Sequence, residues 1–161
     1  MPKPDPGLAS DDRLRAELVA LLRGSNAHVD AATTLGGLPF GRANERPDGH
    51  PHSLWDLVYH LWFTQHDILD FCRNLDYAHR AWPDAYWPDA EATRETWTDT
   101  QRAFFDDLGA LIALAEEGDL LAEFGHAPGY TLLRELLLAA DHNAHHLGQI
   151  ILVRRALGLW G

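Results

Sequence analysis

The chain has 161 residues, enough for one domain with a single hydrophobic core. Its formal net charge of −11 excludes the clustered basic surface that binds nucleic acid, and no apolar run is long enough to span a bilayer. A single cysteine, Cys72, excludes an internal disulfide framework. Residues 1–9 predict a loose arm without the apolar core of a signal peptide. We therefore expect one domain over residues 1–161, located in the cytoplasm.

The first half of the chain predicts two helices separated by a long loop. Ser10 or Asp11 can cap a first helix whose apolar residues keep helical spacing as far as Leu35, with a weak point at Gly24. Residues 36–51 are rich in glycine, proline and charge and predict a long first loop. Loops of this length in compact domains often carry function.

The second predicted helix begins at Ser53, because Ser53 and Asp56 have the spacing of a capping box, and it ends near Asn74. Residues 76–88 form an aromatic, proline-rich connection that cannot be helical throughout.

The second half of the chain predicts two further helices. Asp89 can cap the third, which ends before Gly118, and Thr131 opens the fourth, which runs to about Leu157 with Gly158 just beyond its end. No stretch alternates with period two, so no strand is predicted. Four amphipathic helices predict an all-α four-helix bundle, whose core is a common place for a metal.

Three histidines lie within five positions of the fourth predicted helix. His142 and His146 are four residues apart, so their rings project side by side from one face and can hold one cation. His145 lies on a neighbouring face. Two core histidines hydrogen-bonded to backbone or carboxylate groups would give the same pattern, and that alternative stays open.

The best-placed third ligand is His60, which lies beside the apolar stripe of the second predicted helix. Three protein ligands and an open position are typical of catalytic zinc sites. Glu135 and Gln149 lie on the same side of the fourth helix as the two histidines and are candidates to orient a ligand. His145 is a third candidate for this outer position.

Four segments of the sequence form a recognisable set: residues 53–61 (SLWDLVYHL), 86–88 (YWP), 142–150 (HNAHHLGQI) and 152–160 (LVRRALGLW). Together they resemble the DinB-like superfamily of metal-binding four-helix bundles. The resemblance spans most of the chain from about residue 50 onward, and it is most specific in the fourth predicted helix.

The resemblance implies an up-up-down-down bundle, usually dimeric, with a divalent metal held by three histidines. At matching positions these ligands are His60, His142 and His146, and zinc or nickel is the expected ion. Many relatives have an aromatic residue where this chain has His145. Trp55 and Trp62 lie off the apolar stripe of the second helix and suit either packing against loops or a homodimer interface.

Characterised relatives include metal-dependent transferases that join a low-molecular-weight thiol to an electrophile, and thiol-dependent maleylpyruvate isomerases. The resemblance therefore implies a thiol S-transferase acting on a small-molecule substrate. The alternatives are a metal-dependent hydrolase and a metal-binding or structural module without turnover.

Overall fold

The structure is a computed structural model that describes residues 10–24 and 26–160; the arm predicted for residues 1–9 lies outside this part. The described chain is mainly helical, which confirms the all-α bundle predicted from the sequence. None of its helices is both long enough and apolar enough to cross a membrane. In chain order the helices and strands are α1 (Ser10–Arg23), α2 (Ala31–Leu35), α3 (Leu54–Arg73), α4 (Arg94–Glu117), β1 (Glu123–Phe124), β2 (Ala127–Thr131) and α5 (Leu132–Ala156), with short 3-10 helices at Phe40–Arg42 and Asp84–Tyr86.

The predicted ends of α3 and α5 are confirmed. Before α3, the Ser53 hydroxyl accepts from the Asp56 backbone N–H at 3.1 Å, and the Asp56 carboxylate accepts from the Ser53 N–H at 2.9 Å. This reciprocal capping box satisfies two N–H groups that the helix itself leaves unpaired. Thr131 caps α5, and Gly158 follows its last turn with φ of +68°, a conformation that favours glycine.

The first and third predicted helices differ from the observed ones. The single helix predicted from Ser10 to Leu35 is broken, because Gly24 adopts φ of +74° and the chain restarts as α2 at an Asp30 cap. The third helix begins after Thr93 and not after Asp89.

Long-range hydrogen bonds to the segment before Thr93 explain the late start of α4. The Trp55 indole N–H donates to the Ala90 carbonyl at 2.8 Å, and the Asn44 side chain bonds both the N–H and the carbonyl of Ala92. These bonds hold the chain in a non-helical path through residues where a helix was expected.

The absence of strands was a wrong prediction. β1 and β2 form a small antiparallel hairpin that pairs Glu123 with Thr131 and Phe124 with Ala127, with an irregularity between the two pairs. β1 has two residues, too few to show period-two alternation, and the five residues of β2 do not alternate between buried and exposed, so the sequence pattern could not reveal the hairpin.

The four long helices α1, α3, α4 and α5 run up-down-down-up, which corrects the expected up-up-down-down order. Arg15 near the start of α1 donates to the carbonyls of Ala115 and Gly118 at the end of α4, so α1 and α4 are antiparallel. In contrast, α3 and α4 are parallel.

Contacts at several points along α3 show its direction. Trp55 and Trp97, near the starts of α3 and α4, are in ring contact, and Gln65 further along α3 donates to the carbonyl of Phe104 further along α4. The same Gln65 accepts from Asn143 of α5, while His60 lies against His146, so α3 and α5 run in opposite directions.

Parallel α3 and α4 require the chain between them to return along the bundle. A 20-residue helix is about 30 Å long, a distance that residues 74–93 cover when partly extended. On its way this crossover contacts Asp67, then His60, then Trp55, in reverse order along α3. The crossover therefore reaches the centre of α3, where His60 lies.

Trp55 belongs to the hydrophobic core and not to an exposed face. Its side chain is 5% exposed, and its indole lies against Tyr59 and Trp97. Trp62 is half-buried against Tyr59 and Phe63. The core position of Trp55 leaves Trp62 as the one tryptophan of this pair that could contribute to a homodimer interface, and the homodimer stays a prediction.

We expect the buried Gln65–Asn143 hydrogen bond of 2.7 Å to stabilise the bundle as a pair. Gln65→Leu should lower the free energy of unfolding by about 1–3 kcal/mol, because it leaves the Asn143 amide without its partner in the core. The double variant Gln65→Leu/Asn143→Leu should recover part of that loss in urea unfolding. If the double variant lost as much free energy of unfolding as the two single variants together, this account would be contradicted.

Candidate metal centre

Three imidazole rings meet between the antiparallel helices α3 and α5. His60 projects from α3, and His142 and His146 project from successive turns of α5. The Nε2 atom of His60 lies 3.2 Å from Nε2 of His142 and 3.2 Å from Nε2 of His146. The possible ligand atoms of these three residues all lie within 4.8 Å of one another, so the group could hold a metal ion.

Hydrogen bonds at Nδ1 fix which nitrogen of two rings carries the proton. The Nδ1 of His60 lies 3.0 Å from the Tyr86 carbonyl, and the Nδ1 of His146 lies 2.7 Å from the Gln149 side-chain oxygen. Both oxygens only accept, so each Nδ1 donates and each Nε2 keeps its lone pair. These lone pairs face each other and cannot form a hydrogen bond between the two neutral rings.

The separation of the Nε2 atoms fits ligands of a shared cation. Two nitrogens bound at about 2.0–2.1 Å to a tetrahedral ion lie about 3.3–3.4 Å apart, close to the observed 3.2 Å. The Nδ1 of His142 is buried without a hydrogen-bond partner in the described structure, so no oxygen at Nδ1 fixes the tautomer of this ring. The three residues therefore fit a divalent metal.

An indole covers the outer face of His60. The Trp87 ring stacks on His60 with centroids 4.1 Å apart and an interplanar angle of 4°, and on His52 at 4.2 Å and 9°. The stack holds the His60 ring between α5 and the crossover. Trp82, in the same aromatic segment, is 71% exposed and contacts Tyr86.

The electrostatics of the cluster favour neutral rings. Burial, together with repulsion from His146 and His60, lowers the pKa of His142 to about 3. Burial, with repulsion from His60, lowers the pKa of His146 to about 4, and burial also lowers the pKa of His60. At neutral pH the rings are unprotonated, the form that binds metal.

Of the three candidate outer residues, the structure brings Gln149 to the cluster. Glu135 is buried, but its carboxylate pairs with Arg134, two helical turns from His142. His145 is exposed, with its ring edge-on to His146 at 4.8 Å between centroids. Cys72 is a poor nucleophile, because burial raises the pKa of its thiol to about 12.

A family model described as the DinB superfamily matches residues 25–150. This match covers more than half of the chain. The chain belongs to the DinB superfamily. No curated protein and no solved structure matches it.

Sequence reasoning missed two groups that shape this DinB-superfamily site. They are the backbone carbonyl of Tyr86, which contacts His60, and the His52 ring, which stacks on Trp87. The YWP run at residues 86–88 signalled the segment, but a carbonyl contact has no residue signature, and the stack depends on the path of the crossover.

The low pKa values predict a pH dependence for the stability of the metal-free protein. An unfolded histidine titrates near pH 6.5, so below that pH the unfolded chain binds protons that folded His142 and His146 do not. The free energy of unfolding should fall from pH 6.5 towards pH 4, by up to about 1.4 kcal/mol per pH unit for each ring.

The comparison variant is His142→Gln, which replaces a titrating ring with a neutral amide. Urea unfolding between pH 6.5 and 5 should show a shallower dependence for this variant than for the parent chain. Identical slopes would mean that His142 titrates normally in the folded protein.

Proposed function

We propose that this DinB-superfamily protein binds one divalent metal ion, zinc or nickel, through Nε2 of His60, His142 and His146. The observation that carries the proposal is that Nε2 of His142 and Nε2 of His146 each lie 3.2 Å from Nε2 of His60. The lone pairs of His60 and His146 are directed inward. No further histidine, cysteine, aspartate or glutamate joins the group in residues 10–24 and 26–160. Three protein ligands support an open site and not a closed structural one.

We propose that the loaded protein is a thiol S-transferase, which joins a low-molecular-weight thiol to a small electrophile. The bound ion supplies positive charge that favours the thiolate form of a thiol. The protein's part is to hold the rings through Tyr86 and Gln149 and to cover His60 with Trp87. Activities in the wider family motivate this choice of chemistry.

A groove beside the cluster supports a small substrate. It encloses about 180 Å³, less than the pockets that hold drug-sized ligands. Gln149 lies both in this groove and in the hydrogen bond to His146, and His52 lies both in the groove and in the stack on Trp87. The remaining lining is mostly apolar: His50, Pro51, Leu57, Leu152 and Val153.

The experiment uses cobalt in place of the native ion, because a thiolate bound to Co²⁺ gives a sulfur-to-metal charge-transfer band. Adding 2-mercaptoethanol to the cobalt-loaded protein should produce this band. His142→Ala should abolish it while leaving the bundle folded by circular dichroism, since helix packing buries most of the apolar surface. The matched control is His145→Ala, which removes an exposed ring next to His146 and should keep the band.

Other outcomes separate the alternative functions. A hydrolase would show no thiol band and would instead show a spectral change with pH as a bound water ionises. A structural site would respond to neither probe, and removal of its metal would unfold the bundle. Either outcome would contradict the transferase proposal.

A further inference from the structure

A buried carboxylate, Asp67, fixes the crossover beside the metal cluster. Asp67 lies two helical turns after His60 on α3, with 8% of its surface exposed. It accepts from the Tyr86 hydroxyl at 2.5 Å and from the Tyr77 hydroxyl at 3.0 Å, and Arg80 lies 3.7 Å away. All three partners belong to the crossover of residues 74–93. A buried charge needs such partners, so this part of the crossover is tied to α3.

Tyr86 joins this carboxylate to the cluster. Its hydroxyl donates to Asp67, and its backbone carbonyl accepts from Nδ1 of His60 at 3.0 Å. Burial, followed by the hydrogen bond to Asp67, raises the pKa of the Tyr86 hydroxyl, so it remains protonated and donates. The next residue, Trp87, stacks on the face of His60. One short segment therefore sets both the tautomer and the orientation of this ring.

We propose that Asp67 and the Tyr86 hydroxyl are positioning groups for the metal site: they hold the Tyr86 carbonyl on His60 and so direct its Nε2 lone pair at the other two rings. This inference rests on the proposed metal binding. Groups that orient a ligating histidine typically change metal affinity 10- to 100-fold when they are removed. The Tyr86 hydroxyl acts through one further residue, so we expect a loss of about tenfold.

The chain offers a matched pair of variants. Tyr86→Phe and Tyr77→Phe each remove one hydroxyl that donates to the same carboxylate, but only Tyr86 contacts His60. Both variants should lower the urea midpoint of the metal-free protein to a similar extent. Zinc affinity, measured by competition with a chromophoric chelator, should fall about tenfold in Tyr86→Phe and stay close to that of the parent chain in Tyr77→Phe.

A second readout does not require metal. In the metal-free protein, ¹⁵N NMR of the histidine rings should show His60 as a single Nδ1–H tautomer in the parent chain and in Tyr77→Phe. In Tyr86→Phe the His60 signals should show exchange between tautomers. A parent chain that fails to bind zinc would overturn the proposed function, whereas this tautomer comparison would still decide the positioning role.

Two results would overturn the proposal. One is an equal loss of zinc affinity in both tyrosine variants, which would make the network merely structural. The other is an unchanged His60 tautomer and zinc affinity in Tyr86→Phe. Replacement of the acceptor adds a further test: Asp67→Asn, which keeps an oxygen for the hydroxyl, should lose less zinc affinity than Asp67→Ala, and the reverse order would contradict the role of the hydrogen bond.

Discussion

The structure depends on placing three neutral imidazole rings in the interior between two antiparallel helices. Burial removes water from the ring nitrogens, and their closeness makes protonation of more than one ring unfavourable. Backbone and amide oxygens satisfy the outer nitrogens of His60 and His146, which leaves lone pairs that converge on one point. Without a cation the lone pairs of His60 and His146 face each other, and a metal ion placed between the rings would satisfy both.

The direction of the helices determines what surrounds those rings. Because α3 and α4 are parallel, the chain between them must travel back along the bundle, and it does so against the face of α3 that carries His60 and Asp67. An antiparallel pair would have needed only a short connection at one end. The long crossover thus supplies the Tyr86 carbonyl and the Trp87 indole to the site.

Much of the fold was predictable because local rules specify it. The capping box at Ser53 and Asp56, and Gly158 after the last turn of α5, place helix ends from residues close in sequence. The start of α4 was predicted wrongly at Asp89, because distant hydrogen bonds from Trp55 and Asn44 hold the preceding residues in a non-helical path. Helix spacing paired His142 with His146, whereas Tyr86 reaches His60 only through the tertiary path of the crossover.

The central claim is that three histidines bind one divalent ion and leave room for a further ligand. Anomalous diffraction from crystals of the zinc-loaded protein tests it most directly. We expect one peak about 2.0–2.2 Å from Nε2 of each of His60, His142 and His146, with at least one remaining position held by water or a small molecule. A peak bound by four protein side chains, or no peak between these rings, would contradict the account.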